Sequence, residues 1–226
     1  MYKNIEILDK TKHSTMKFET VDASIVAQNI GIVPLGINEV LDMSSIAPVL
    51  ISAGENAEFI AFTGISKEIT IYNQANNYIP NFISTYPFVN IIVKDENNNK
   101  NTVVAVNNNE NFVGDTKTNA IFTEDGKLEK IANSKIELLR ALDSQRDISK
   151  RIINEFKEKD LLLKKDFKVK TDKEEVTLLK EFYVINRAKL LELDDLILAL
   201  WAKKGWMGII DAHIKSLNNF HKIVTA

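Results

Sequence analysis

A chain of 226 residues that is 45% hydrophobic and 27% charged, with a net charge of −2, is long enough to bury a sizeable core and too apolar to stay disordered. With no cysteine, disulfide scaffolds, iron–sulfur clusters, thiolate zinc sites and cysteine nucleophiles are excluded, and with only three histidines a His-rich metal site is not expected. Residues 1–126 carry 15 acids and 8 bases, residues 127–226 carry 16 and 21; no aromatic-plus-basic motif accompanies the basic half, so the asymmetry reads as complementary lobes or a solvated helical surface, and nucleic acid is not an expected partner.

At the start of the chain Glu6, Asp9 and Lys10 interrupt any apolar run, whereas a secretory signal needs one of about 7–15 residues. The longest apolar stretches elsewhere, such as residues 196–202, fall short of the roughly 20 residues that span a bilayer. The expected location is the cytoplasm, without membrane insertion.

All four prolines and six of the eight glycines lie at or before Gly126, cutting the first half into short strand-and-turn pieces. Residues 48–52, 58–64 and 68–72 read as strands, with a turn at Gly54-Glu55-Asn56. Residues 88–93 and 102–106 read as a hairpin around the polar loop 95–101. Ser134 and Glu137 stand at capping-box spacing and open a helix that ends near Asp160. Ile136, Leu139, Leu142, Ile148, Ile152 and Phe156 follow its apolar face. A second hairpin joins residues 166–170 to 176–185 through a turn at Asp172-Lys173. Val176, Leu178, Phe182 and Val184 share one parity, and Lys180 interrupts that face. Asp194 caps a helix that Gly205 stops. Trp206, Ile210, His213, Leu217 and Phe220 form one face of a terminal helix. The expected fold is a single α+β domain over 1–226. Its N-terminal mixed or antiparallel β region (a β-rich lobe, 1–126) packs with C-terminal helices and a late β-hairpin (a helix-rich lobe, 127–226).

Motifs of known chemistry are absent. There is no phosphate-cradling glycine loop, no nucleophile elbow and no zinc-protease histidine pair. His213 and His221 are separated by about 12 Å of helical rise, too far to share one ion, and His13 has no evident partner. No metal, cofactor or catalytic residue is expected. His213 has two readings: a general base or ligand contact in a buried pocket, or a core histidine with a satisfied hydrogen bond. Asp211 and Lys215 read as a surface ion pair, Asp194-Asp195 as a helix cap, and Trp201 and Trp206 as core anchors. The connector at residues 78–88 concentrates Tyr78, Pro80, Tyr86, Pro87 and Phe88. Such stiff, bulky groups build a recognition surface or staple a loop onto the core.

These residues also carry a family resemblance. Met1-Tyr2-Lys3-Asn4-Ile5, His13, Val33-Pro34-Leu35 and Gly64-Ile65 contribute, as do Tyr78-Ile79-Pro80, Tyr86-Pro87-Phe88, Phe122-x-Glu124-Asp125-Gly126 and Ala212-His213-x-x-Ser216-Leu217-x-Asn219. Together they resemble the SapC family of bacterial proteins, named for a gene linked to surface-layer protein systems. Where relatives carry a tryptophan after the Gly-Leu pair, residues 66–77 have none; where relatives often place two basic residues before the second Tyr-Pro-Phe, Ser84 and Thr85 stand here. The resemblance implies a cytoplasmic accessory protein connected with surface-layer or other secreted surface proteins, and it supplies no reaction.

Three functions follow as expectations. The first is a non-enzymatic accessory factor that binds a surface-layer or secreted protein or peptide through Tyr78, Pro80, Tyr86, Pro87, Phe88, His213 and Ser216. The second is an enzyme or ligand-binding protein for a peptide or small metabolite, with His213 in the pocket and Asp125 as its carboxylate partner. The third is a structural homo-oligomer whose oppositely charged lobes pair head to tail.

Overall fold

The computed structural model describes residues 4–20, 22–73, 78–170 and 174–225. Its strands begin with β1 (Ile5–Ile7), β2 (Lys17–Phe18), β3 (Ile32–Pro34), β4 (Val49–Ser52), β5 (Phe59–Phe62) and β6 (Phe88–Lys94). They continue with β7 (Lys100–Asn107), β8 (Val113–Gly114), β9 (Asn119–Ala120), β10 (Leu162–Lys170) and β11 (Glu175–Ile185). The helices are α1 (Ala23–Ala27), α2 (Val40–Ser44), α3 (Asn81–Ser84), α4 (Lys130–Glu158), α5 (Arg187–Leu191), α6 (Asp195–Lys203), α7 (Trp206–Ser216) and α8 (Phe220–Thr225). Every strand pairing is antiparallel, and the fold is α+β.

The chain forms two compact units that alternate along the sequence: Met1–Ala27 with Asn81–Asp143, and Gln28–Pro80 with Ser144–Ala226. The composition break at Gly126 therefore lies inside the first unit. That unit holds the sheet β1-β7-β6 and the small sheet β8-β2-β9. Its core gathers Phe18, Phe88, Val106, Val113 and Ile121 around Ala132, Ile136 and Leu139 of α4. The rings of Phe18 and Phe88 meet edge to face at 5.4 Å, the arrangement their quadrupoles favour.

The second unit is built on the sheet β10-β11-β4-β5-β3, which joins the late hairpin to the early strands. Val49, Leu50, Ile51, Phe59 and Ala61 of β4 and β5 are buried on both faces, which explains their continuous apolar runs. Trp201 is fully buried, packs against Phe156 in a tilted arrangement at 5.3 Å and donates its indole N–H to Glu155 at 2.7 Å. It is a core anchor, as expected.

Four local expectations are corrected or fall outside view. Residues 68–72 are not a strand: Thr70 makes a single bridge to Gly64, and Ile71–Asn73 turn into a 3-10 helix. Helix α4 starts at Lys130, and Ser134 lies inside it, its hydroxyl donating back to the Lys130 carbonyl at 3.0 Å. The capping-box spacing was matched by a residue that bonds within the helix, a common alternative for serine. In strand β11 the register against β10 shifts twice around Phe167, so that Leu179, not Leu178, pairs with Phe167, while Val176, Phe182 and Val184 keep a common face opposite Val169, Lys165 and Leu163. Glu181 there takes φ 55°, the left-handed conformation found at bulges. The turn expected at Asp172-Lys173 lies outside the described residues.

Gly64 is demanded by close backbone approach. A Cβ at this position would lie 2.5 Å from the Ile69 carbonyl oxygen and 2.8 Å from the Thr70 Cα, atoms of a backbone that cannot step aside. Gly64→Ala is expected to lower stability by about 1–3 kcal/mol in urea unfolding; an unchanged midpoint would contradict this packing.

Candidate functional site

The sequence-predicted site residues divide between the two units, and nearly all of them are interior. Tyr78 and Pro80 belong to the second unit, and Tyr86, Pro87 and Phe88 to the first. Tyr78 is half-buried and donates its hydroxyl to Glu39 Oε1 at 3.0 Å. Glu39 is itself buried, and its Oε2 accepts the Gly36 N–H at 2.8 Å. Burial first, and then the Glu39 carboxylate, push the phenols of Tyr72 and Tyr78 well above their usual range. The 78–88 connector is thus stapled at its start by a buried carboxylate.

His213, Ser216 and Asn219 act as a polar stripe along the last helical segment. His213 Nε2 accepts the Ile185 N–H at 3.0 Å. Ser216 Oγ accepts the Val49 N–H at 2.9 Å and donates to the His213 carbonyl at 2.6 Å. Asn219 Nδ2 donates to the Ser44 carbonyl at 2.8 Å. Three side chains spaced three apart satisfy backbone groups around β4 and β11, groups that burial would otherwise leave unpaired. His213 has no exposed surface, and burial holds its imidazole neutral down to about 4, against a smaller upward pull from the Val49 backbone. Its Nε2 bonds to backbone, which is the core-histidine arrangement, and no part of the ring is exposed. Asp125 belongs to the first unit, in an exposed turn where Lys127 and then Thr123 hold its carboxylate below the usual range.

His13 gains partners the sequence did not reveal. It is fully buried, its Nδ1 accepts the Asp9 N–H at 3.0 Å, and its Nε2 lies 3.4 Å from Glu6 Oε2. Hydrogen bonds from Lys12, then Asn108 and His13, hold the Glu6 carboxyl down to about 2.

The first unit brings one set of side chains to a cleft. β7 ends in Asn107, which is 1% exposed. Its N–H donates to the Pro87 carbonyl at 2.9 Å, its Nδ2 donates to the Tyr86 hydroxyl at 2.9 Å, and its Oδ1 accepts the Asn4 N–H at 3.3 Å. Asn109 follows as the hinge of a turn, its carbonyl accepting from Phe112 and Val113 at 2.8 Å each and its Oδ1 from the Asn111 N–H at 3.1 Å. The Tyr86 ring is buried, packs edge to face on Phe112 at 5.6 Å, and is hydrogen-bonded by the amides of Asn107 and Asn109. Above this floor lies a cleft of about 260 Å³ lined by Asn4, Asn107, Asn109, Glu110 and Asn111. Asn107 is committed to Tyr86 and Asn4, so the exposed side chains of Asn4 and Asn111 supply amide donors and acceptors, and Glu110 adds an exposed acceptor. The cleft is chemically matched to groups that themselves carry N–H and C=O, as a peptide backbone does.

From sequence the strand was expected to stop at residue 106; the available signal was Asn107, which continues it by one residue. The tyrosine and proline of the 78–88 connector were singled out, and the structure places Tyr86 and Pro87 beneath the cleft as its support.

Among the described residues no group of three or more histidines or carboxylates could hold a metal ion, and no helix is long and apolar enough to cross a membrane. A family model described as SapC matches residues 8–223. No curated protein and no solved structure matches the chain.

Proposed function

Because this chain belongs to the SapC family, we propose that it is a non-enzymatic cytoplasmic accessory protein of surface-layer protein biogenesis or secretion, which holds an extended stretch of a protein or peptide partner. The observation that carries the reading is the amide-lined cleft at Asn107, fixed from below by Tyr86 and Pro87. A preorganised row of amides binds backbone groups at little ordering cost, because the floor is already held. Among the described residues no nucleophile or buried acid–base pair lines the cleft, and the lining suits binding better than bond breaking.

The test uses tiled peptides from surface-layer precursor proteins, titrated onto the intact chain. The double variant Glu110→Ala, Asn111→Ala removes two exposed lining groups and is expected to keep the parent's melting curve. With about 0.5–1.5 kcal/mol per hydrogen bond, peptide affinity should fall by roughly tenfold. Equal affinity of parent and variant, or no peptide bound by the parent, would overturn the proposal.

A further inference from the structure

Strands at sheet edges present unpaired N–H and C=O groups, and proteins guard them. β1 and β3 are each three residues long, and β3 ends on Pro34. β10 carries Lys164, Lys165, Lys168 and Lys170 and faces a partner with two register shifts. β6 is different: seven residues, Phe-Val-Asn-Ile-Ile-Val-Lys, in unbroken register with β7, at the edge of β1-β7-β6. It has no bulge, no internal proline and one charge, at its end. Ile92 on this strand is 69% exposed.

The pairing pattern says which groups face outward. The Asn107 N–H bonds to the Pro87 carbonyl, so the alternation of an antiparallel ladder turns the odd residues of β6 toward β7 and the even residues away. Asn90, Ile92 and Lys94 therefore direct their backbone N–H and C=O groups to the open edge.

We propose that this edge pairs with the same edge of a second copy of the chain, antiparallel, about a two-fold axis at Ile92. In that register Ile92 pairs with Ile92 of the second copy, and Asn90 pairs with Lys94 of the second copy. Every outward backbone group of the three residues finds a partner. Shifting the axis by one residue places Lys94 opposite Phe88, whose N–H already donates to Thr85, or runs Asn90 past the end of the strand. Side chains agree with the same register. Ile91 faces Val93 of the second copy, a β-branched cross-strand pair. The Lys94 ammonium of one copy comes beside Asn90 of the other, whose amide donates to the Asp143 carboxylate at 2.5 Å. The interface is isologous, as two-fold dimers require. It is separate from the cleft and does not depend on what the cleft binds.

The chain has no cysteine, so one introduced thiol reports alone. Paired strands set Cα atoms about 5.5 Å apart, within the reach of a disulfide. Under mild oxidation Ile92→Cys should give a disulfide-linked dimer, while Ile5→Cys, exposed on β1, should stay monomeric. In sedimentation the parent should show a concentration-dependent monomer–dimer equilibrium, and Ile92→Lys, which sets two ammonium groups face to face at an exposed position, should weaken it at least tenfold without changing the melting curve. A parent that sediments as a monomer throughout, a dimer that Ile92→Lys leaves intact, or a dimer that Ile92→Cys fails to link would each overturn the proposal.

Discussion

Tyr86→Ala is expected to destabilise the first unit by about 3–5 kcal/mol, the cost of removing a large aromatic side chain from a packed interior. The ring is 6% exposed and edge-on to Phe112, so truncation opens a cavity under the cleft. It also strands the Asn107 amide, which is 1% exposed and donates to the lost hydroxyl. Tyr86→Phe isolates the second effect and should cost about 1–3 kcal/mol. Urea unfolding of the three proteins separates the two contributions. A Tyr86→Ala protein that unfolds at the parent's midpoint would mean that the ring is not part of the core. Loss of binding in Tyr86→Ala is accordingly no evidence of direct contact, and the rim residues Glu110 and Asn111 are the informative positions.

The second large effect is on pH dependence and comes from His213. In the unfolded chain its imidazole takes up a proton near pH 6.5; in the folded protein burial delays that to about 4. Between these values the unfolded state binds more protons, so stability falls as pH falls. The loss begins near 6.5 and is complete near 4, reaching about 3 kcal/mol in total. His213→Gln keeps a side-chain acceptor for the Ile185 N–H but does not titrate, and should flatten this part of the profile. Glu6 acts lower. Its folded carboxyl is depressed from 4.5 to about 2, so its contribution is present above 4.5 and disappears as pH drops toward 2. Melting curves between pH 7 and 3 check the assignment: a His213→Gln profile as steep as the parent's between 6.5 and 4 would refute it.

Much of the local structure was readable because it is encoded locally. Asp194 caps α6 through the Leu196 N–H at 2.8 Å, and Gly205 adopts φ 76° to stop it. Asp211 and Lys215 form their i, i+4 ion pair at 2.7 Å. The α+β class followed from the contrast between punctuated and uninterrupted halves. Most of what escaped depends on partners distant in sequence. Leu178 leaves the face shared by Val176, Phe182 and Val184 because two register shifts intervene and set Leu179 in its place, and Lys180 was their one local mark. His13 meets Glu6 through the turn that follows β1, in which Asp9 and His13 bond to each other, and no periodicity marks such a turn. The motif at His213, Ser216 and Asn219 suggested chemistry by residue type, yet each side chain bonds to backbone across the sheet. The cleft was missed for a related reason: amides carry no distinctive sequence signature, and only the pairing of β1, β6 and β7 brings Asn4 and Asn107 together.

The alternation of the two units has a consequence for how the chain can be made and cut. During synthesis β1 and β2 of the first unit emerge before β3, β4 and β5 of the second, which must wait for β10, β11 and the helices after them while residues 81–143 complete the first unit. No single break in the gene yields two self-sufficient halves: a stop codon after Asp143 leaves β4 and β5 without β11, and a start at Gln28 deprives β7 of β1. Dissection of this protein therefore calls for excision of an internal segment or a circular permutation, and deletion series from either end will report on both units at once.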